Sequence, residues 1–361
     1  MINEKILKSA EVAVLRLRTL YKSYGYQSFK MSKFEEYDLY VRNKEFLQGG
    51  GVITFSDTGG ELLALKPDVT LSIIKNTTDK KGSVSKLCYD ENVYRISGAT
   101  HRFKEIMQTG IECIGDLDLY SVYEVLYLAA KSLSMISDSF ALDISHMGVV
   151  KAVVDSITDD KLLAGELIKM LSQKNKHEAE ALLLERGVCP ERAERLLSLI
   201  SMHGKPSEVI DRLSPLCDTD EARAALSELS VLSKLLEASE FSDKINVDFS
   251  VINNMSYYNG IVFKGFIEGI PEGVLAGGAY GALMKRMDRS SDAIGFAIYL
   301  DLLEELAAPY EFDVDVLLIY GRGQSANTVK AAVDKLISEG KSVTAQTEIP
   351  EKLRYRELVK L

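Results

Sequence analysis

Apolar residues recur at helical spacing over residues 3–24, at Ile6, Ala10, Ala13, Leu17 and Leu20, and Gly25 supplies a stop, so the chain opens on an amphipathic helix. The period then shortens. Tyr26 to Ser32 reads as extended, and Gly51 to Ser56 and Glu61 to Leu65 flank Asp57-Thr58-Gly59-Gly60 as the arms of a hairpin. Two longer strands are predicted at Lys86 to Ile96 and Phe103 to Ile114, paired antiparallel around the polar loop Ser97-Gly98-Ala99-Thr100-His101-Arg102. Helical spacing returns over Leu119 to Met135, and a short strand follows at Phe140 to Ser145.

From 149 to 239 the chain is dominated by Leu, Ala, Glu, Lys and Arg, which predicts a block of helices. Strand-like sequence resumes at Ile245 to Val251 and Ile261 to Phe266. Gly277-Gly278-Ala279-Tyr280-Gly281 reads as a flexible, backbone-exposing turn, before the apolar run Ala293 to Leu306. Val314 to Tyr320, Ala326 to Ile337 and Ser342 to Thr347 read as strand, helix, strand. The pattern predicts an α+β protein: an antiparallel core from residues 1–148 and 240–310, a helical insertion over 149–239, and a short α/β tail over 311–361.

Composition narrows the function class. Of 361 residues, 46% are hydrophobic and 27% charged, the balance of a folded chain with ample core. The 43 basic against 53 acidic residues give a net charge of −10, which argues against a surface built to hold nucleic-acid backbones. Cys88, Cys113, Cys189 and Cys217 stand far apart with no C-x-x-C pair, so neither a zinc site nor a disulfide framework is expected. No apolar run approaches the ~20 residues of a membrane span, and the first residues lead straight into the opening helix. A cytoplasmic protein is expected.

Candidate chemistry is sparse. Gly321-Arg322-Gly323-Gln324-Ser325-Ala326 fits a G-x-G-x-x-A dinucleotide loop, with Glu348 beyond the next strand, but the tail is too short for a doubly wound sheet and a tight turn accounts for it. Nucleotide-triphosphatase, zincin and α/β-hydrolase signatures are absent. His101, His146, His177 and His203 are scattered, none at ligand spacing with another histidine or cysteine, so surface or loop positions and no metal centre are expected. His101, with Arg102 and Lys104, belongs either to an anion contact or to a solvated basic hairpin. Alternation along Met107-Gln108-Thr109-Gly110-Ile111-Glu112-Cys113 puts Met107, Thr109, Ile111 and Cys113 on a core face. On the other face Gln108 and Glu112 flank Gly110, whose missing side chain leaves a gap for a small polar ligand. A plain polar outer face fits the same letters.

Taken in order, these segments resemble the catalytic core of histidyl-tRNA synthetases, a class II aminoacyl-tRNA synthetase fold, over roughly residues 5–308. The resemblance runs through Tyr24-Gly25-Tyr26, Leu65-Lys66-Pro67-Asp68-Val69-Thr70 in place of an R-P-E-G-T-like segment, Val93-Tyr94-Arg95, and Arg102-Phe103-Lys104. It continues through Gln108-Thr109-Gly110-Ile111-Glu112, Tyr257-Tyr258 with Val262-Phe263, Gly277 to Tyr280, and Gly295-Phe296-Ala297. It implies an antiparallel sheet flanked by helices, and an amino-acid pocket made of Asp68, Thr70, Arg95, Gln108, Glu112, Tyr257 and Tyr258.

The departures fall on the nucleotide side. Asn253 stands where the synthetases carry the arginine of R-G-x-D-Y-Y, Leu302 stands where the last motif carries its arginine, and Ile96-Ser97 replaces the acidic residue after Arg95. Neither asparagine nor leucine supplies a cation for ATP. A pocket kept without its adenylation chemistry resembles the regulatory subunits of ATP phosphoribosyltransferase, paralogues of histidyl-tRNA synthetase. That resemblance implies a non-catalytic chain with no cofactor. Its partner would be the short-form catalytic subunit at the first step of histidine biosynthesis, with L-histidine as effector and a homodimer inside a hetero-oligomer. The tail resembles only the start of an anticodon-binding domain, so tRNA is not an expected ligand. The competing expectations are a divergent histidyl-tRNA synthetase and a stand-alone histidine- or tRNA-binding paralogue.

Overall fold

The computed structural model describes residues 8–44, 47, 51–79, 82–96, 102–252, 258–306 and 312–361. The chain divides into two compact units, Met1–Leu306 and Ala307–Leu361.

The first unit opens with α1 (Ser9–Ser23), whose buried Ala13, Val14, Leu17, Leu20 and Tyr21 fall on one stripe. Gly25 ends it. Its φ of 83° lets Tyr26 N–H reach back to the Tyr21 carbonyl at 3.0 Å, a turn that L side chains resist. The extended segment after it forms the short β1 (Gln27–Ser28). Next come β2 (Phe34–Glu36), α2 (Tyr37–Arg42), β3 (Thr54–Ser56) and β4 (Leu62–Leu65), the strands forming a small antiparallel sheet in the order β2-β4-β3. Asp57 closes the β3–β4 turn by accepting at 2.8 Å from Gly59 N–H and Glu61 N–H.

After α3 (Val69–Asn76), β5 (Val84–Ile96) and β6 (Phe103–Gly115) form a long antiparallel pair. The remaining core elements are α4 (Leu119–Ser134), β7 (Phe140–His146), β8 (His203–Gly204), β9 (Ile245–Asp248), β10 (Ile261–Ile267), β11 (Leu275–Ala279), α11 (Gly281–Arg286) and β12 (Asp292–Tyr299). Together with β1, β5 and β6 the strands make one sheet, β1-β5-β6-β12-β11-β10-β7-β9-β8. Pairing is antiparallel except at β1/β5 and β7/β9. Beside it α4 buries Val125, Leu126, Leu128, Ala129 and Leu133, with Asp118 capping its start by accepting from Ser121 N–H at 2.8 Å.

Between β7 and β9 run α5 (Met147–Asp155), α6 (Lys161–Ser172), α7 (Lys176–Glu185), α8 (Pro190–Ile200), α9 (Pro206–Leu213) and α10 (Asp220–Glu237). Capping chemistry sets their starts: Asp160, Asn175 and Thr219 accept backbone N–H bonds, while Pro190 and Pro206 occupy first-turn positions. The two-residue β8 interrupts the block and joins the main sheet, and α10 packs on α4, α5 and β7.

Three sequence expectations change. Gly277 and Gly278 do not form a turn; they lie inside β11, between β10 and β12. Glycine is needed there because a Cβ on Gly277 would come within 2.4 Å of the Gly295 carbonyl and one on Gly278 within 2.7 Å of the Tyr258 ring. The run Ala293 to Leu306 splits into β12 and a 3-10 helix at Leu300–Leu306. Finally, His146 is buried, not on the surface: its Nδ1 caps α5 by accepting from Gly148 N–H at 3.0 Å.

The second unit holds β13 (Val314–Ile319), α12 (Ala326–Ser338), β14 (Val343–Gln346) and β15 (Tyr355–Lys360), a parallel sheet in the order β14-β13-β15. The third strand is absent from the sequence reading because Arg356, Glu357 and Lys360 mask its period, as charges on edge strands do. The Gly321–Ser325 loop is a βα turn in which Ser325 caps α12, and Arg322 pairs with Glu348 at 3.3 Å on the surface.

Candidate functional site

Three strands and one helix start converge on a cleft at β5, β6 and β12. Asp68 arrives there as the N-cap of α3, its Oδ1 accepting from Leu71 N–H at 2.9 Å. Thr70 follows in the first turn. From β5 come Tyr89 and Arg95, whose Nε donates to the Pro67 carbonyl at 2.9 Å and so ties the strand to the α3 approach. Gln108 and Glu112 project from β6, opposite Tyr299 and Gly295 of β12 respectively. Tyr258 and Tyr280 complete a lining around a small, partly open cavity of about 40 Å³.

The cleft therefore brings together six of the seven sequence-predicted residues, Asp68, Thr70, Arg95, Gln108, Glu112 and Tyr258. Tyr257 lies outside the described residues, as do Asn253 and His101. The gap over Gly110 is closed: a Cβ there would sit 2.6 Å from the Tyr89 hydroxyl and 2.1 Å from the Phe296 carbonyl. Tyr89 faces Gly110 across the β5–β6 pair and takes the space its missing side chain leaves. The room for a ligand lies instead around Glu112, Asp68 and Gln108. From Gln108 onward both faces of β6 are buried, with Gln108 and Glu112 at 3% and 2% exposure, so the plain outer-face reading of that stretch fails. On the opposite face Thr109, Ile111 and Cys113 are buried, while Met107 is exposed.

Glu112 is the electrostatic centre. Thr70 Oγ1 donates to its Oε1 at 2.7 Å and the Tyr280 hydroxyl donates to its Oε2 at 2.5 Å. Burial pushes its carboxyl up to about 8, the Tyr280 and Thr70 hydroxyls hold it down in part, and the nearby Asp68 carboxylate raises it further. Asp68 is raised too, again chiefly by burial, with the Leu71 N–H and the Arg95 guanidinium acting against the rise. Burial keeps the phenols of Tyr89 and Tyr258 well above their usual range, so both remain protonated donors. A cleft holding two destabilised acids, one guanidinium and a ring of phenols suits a small ligand that brings its own cationic group and a carboxylate.

Tyr89, Tyr280 and Tyr299 were missed as site residues. Tyr280 belonged to a glycine cluster read as a turn, and Tyr89 and Tyr299 are visible only once the strand registers pair them with Gly110 and Gln108. At the end of β12, Leu302 is half-buried against the hydrophobic core, and the neighbouring Asp301 pairs with Lys104 at 3.3 Å. Outside the cleft, Lys66 is fully buried and donates to Glu91 at 2.9 Å; burial lowers its ammonium against the pull of that carboxylate. Among the described residues no helix is long and apolar enough to cross a membrane.

A family model described as histidyl-tRNA synthetase matches residues 3–303. An ATP phosphoribosyltransferase regulatory subunit of Caldanaerobacter subterraneus subsp. tengcongensis is 30% identical over 291 residues, covering 79% of this chain and 75% of that protein. A Bacillus halodurans structure described as an ATP phosphoribosyltransferase regulatory subunit/histidyl-tRNA synthetase superposes with a TM-score of 0.79 at 23% identity, over 98% of this chain and 93% of that one. A chain of the ATP phosphoribosyl transferase (HisG:HisZ) complex from Thermotoga maritima gives a TM-score of 0.65 at 19% identity, over 83% and 97%. Both establish the class II synthetase-like α+β fold.

Proposed function

Because the chain belongs to the histidyl-tRNA synthetase family, and within it to the regulatory subunits of ATP phosphoribosyltransferase, we propose that it is the non-catalytic regulatory subunit of a short-form ATP phosphoribosyltransferase. In this role it binds the catalytic subunit, raises its activity and conveys feedback by histidine. The homologous solved chain comes from a HisG:HisZ complex, which supports a hetero-oligomer. A homodimer within it, in the cytoplasm, is part of the same reading.

The observation that carries the proposal is the contrast between the Glu112 cleft and the segment that follows β12. Glu112, Asp68, Gln108 and the phenols surround a small polar cavity suited to the charged groups of an amino acid, whereas Leu302, just past β12, packs against the core and offers ATP no charge. Histidine matches the retained groups. Its ammonium and imidazole meet Asp68 and Glu112, its carboxylate meets Arg95, and Thr70, Gln108 and Tyr258 complete the described part of the pocket. Adenylate formation needs cations on the phosphates and on the developing charge, and the residues at 253 and 302 supply none, so synthetase activity is lost.

Histidine-dependent exchange of pyrophosphate into ATP tests the loss: the purified chain is expected to give none, and exchange above a no-histidine control overturns the reading. Calorimetric titration with L-histidine tests the pocket. Binding that Glu112→Ala abolishes supports it, and binding indifferent to that change moves the effector elsewhere.

A further inference from the structure

A second cluster of ligating groups stands at the far end of the main sheet. β7, β9 and β8 are consecutive neighbours there, and they present Asp143, Asp248 and His203. His203 is the register partner of Asp248. Folding thus gathers residues that sequence spacing keeps apart. One ligating atom from each of the three lies within 4.8 Å of the others. Both carboxylates are oriented from behind. Asn246 donates to Asp143 Oδ1 at 3.0 Å, and Ser250 N–H donates to Asp248 Oδ1 at 2.8 Å. Outer contacts of this kind fix the direction of metal-binding carboxylates. The cluster lines a surface cleft of about 500 Å³.

A cation already sits in the cluster. Lys174, just past the end of α6, places its ammonium 2.6 Å from Asp248 Oδ2; the lysine side chain is 48% exposed, whereas the aspartate is 5% exposed. A half-solvated ammonium on a flexible stem can swing to water at little cost, while the buried carboxylate cannot leave. One imidazole nitrogen and two carboxylate oxygens form a donor set suited to zinc or a similar divalent transition ion, with the remaining positions left to water.

We propose that Asp143, His203 and Asp248 form a three-residue site for a divalent transition-metal ion of the zinc type, in which Lys174 is the cation that the metal displaces. The site lies apart from the Glu112 cleft and does not depend on how that cleft is used.

Zinc and cobalt chloride titrated into the full-length, chelator-treated protein test this, read by calorimetry, by cobalt d–d absorption and by thermal unfolding. Saturable binding of a single equivalent is expected, weakened at least about tenfold by His203→Ala or Asp143→Asn, and unchanged by His177→Ala or Cys189→Ser, which remove exposed donors elsewhere. Lys174→Met is expected to melt earlier than the parent without metal, because Asp248 loses its counter-charge, and to regain that loss with zinc. A structural ion pair alone would not be rescued. Absence of saturable binding, or binding that survives His203→Ala at full strength, overturns the proposal. If Lys174→Met does not fold, the exposed His203 variant still decides.

Discussion

Glu112 and Gly295 face one another across β6 and β12, and the carboxylate of Glu112 occupies the place of the side chain that residue 295 lacks: a Cβ there would stand 1.9 Å from Oε2. Gly295 therefore makes room for the acid. Gly295→Ala is expected to push Glu112 off the Thr70 and Tyr280 hydroxyls, to cost roughly 1–3 kcal/mol in stability as an overpacked core substitution, and to remove histidine binding. Urea unfolding and calorimetry check both parts. A stable variant with unaltered binding would show that the carboxylate position is not critical.

The raised carboxyl of Glu112 makes stability depend on pH in a definite direction. Its group titrates near 8 in the folded chain against an ordinary value of 4.5, so between these values the folded state holds the proton that the unfolded state has released. Stability contributed at this position falls as pH rises through that window and levels off above it. Asp68, shifted the same way, adds to the slope. Glu112→Gln is expected to flatten the profile, measured as urea midpoints from about pH 5 to about pH 8.5.

The same proton reports on the ligand. A cation seated on Glu112 favours its ionised form, so histidine binding near neutral pH is expected to exchange protons with buffer. Calorimetry in buffers of different ionisation enthalpy measures this exchange, and Glu112→Gln is expected to reduce it. Tyr280→Phe, which removes one of the two hydroxyl donors, is expected to weaken histidine binding about tenfold, the value of one hydrogen bond to a charged group.

How far the sequence could be read depended on whether a residue's role is local. The β5–β6 pair was legible because alternation along Lys86 to Ile96 and Phe103 to Ile114 marks both strands and the polar loop marks their reversal. Gly277 and Gly278 were misread because glycine signals a turn locally, whereas here it answers the crowding of Gly295 and Tyr258 from neighbouring strands. The site divides similarly. Gln108 and Glu112 share one strand face and could be picked out together. Tyr89, Tyr280 and Tyr299 reach the cleft from three other segments, and Tyr89 fills the gap that Gly110 alone seemed to leave open. Likewise, nothing in the spacing of Asp143, His203 and Asp248 announces that three neighbouring strands bring them together.

Below the cleft, the Lys66–Glu91 pair links the approach to α3 with β5. Lys66→Met is expected to destabilise the chain by roughly 3 kcal/mol, since it leaves a largely buried carboxylate without its cation. Adding Glu91→Leu is expected to restore much of that loss, because two apolar side chains replace a desolvated pair. Urea midpoints of the two variants check the prediction; equal losses in both would mean that packing, and not charge, dominates there.

The central claim is regulation without adenylation chemistry, and the most direct measurement is the rate of phosphoribosyl transfer to ATP by a short-form catalytic subunit from the same organism as this chain is added. The account predicts a rate that rises to saturation with formation of a hetero-oligomer and that falls again with L-histidine. A flat rate, with the two proteins eluting separately, would contradict it.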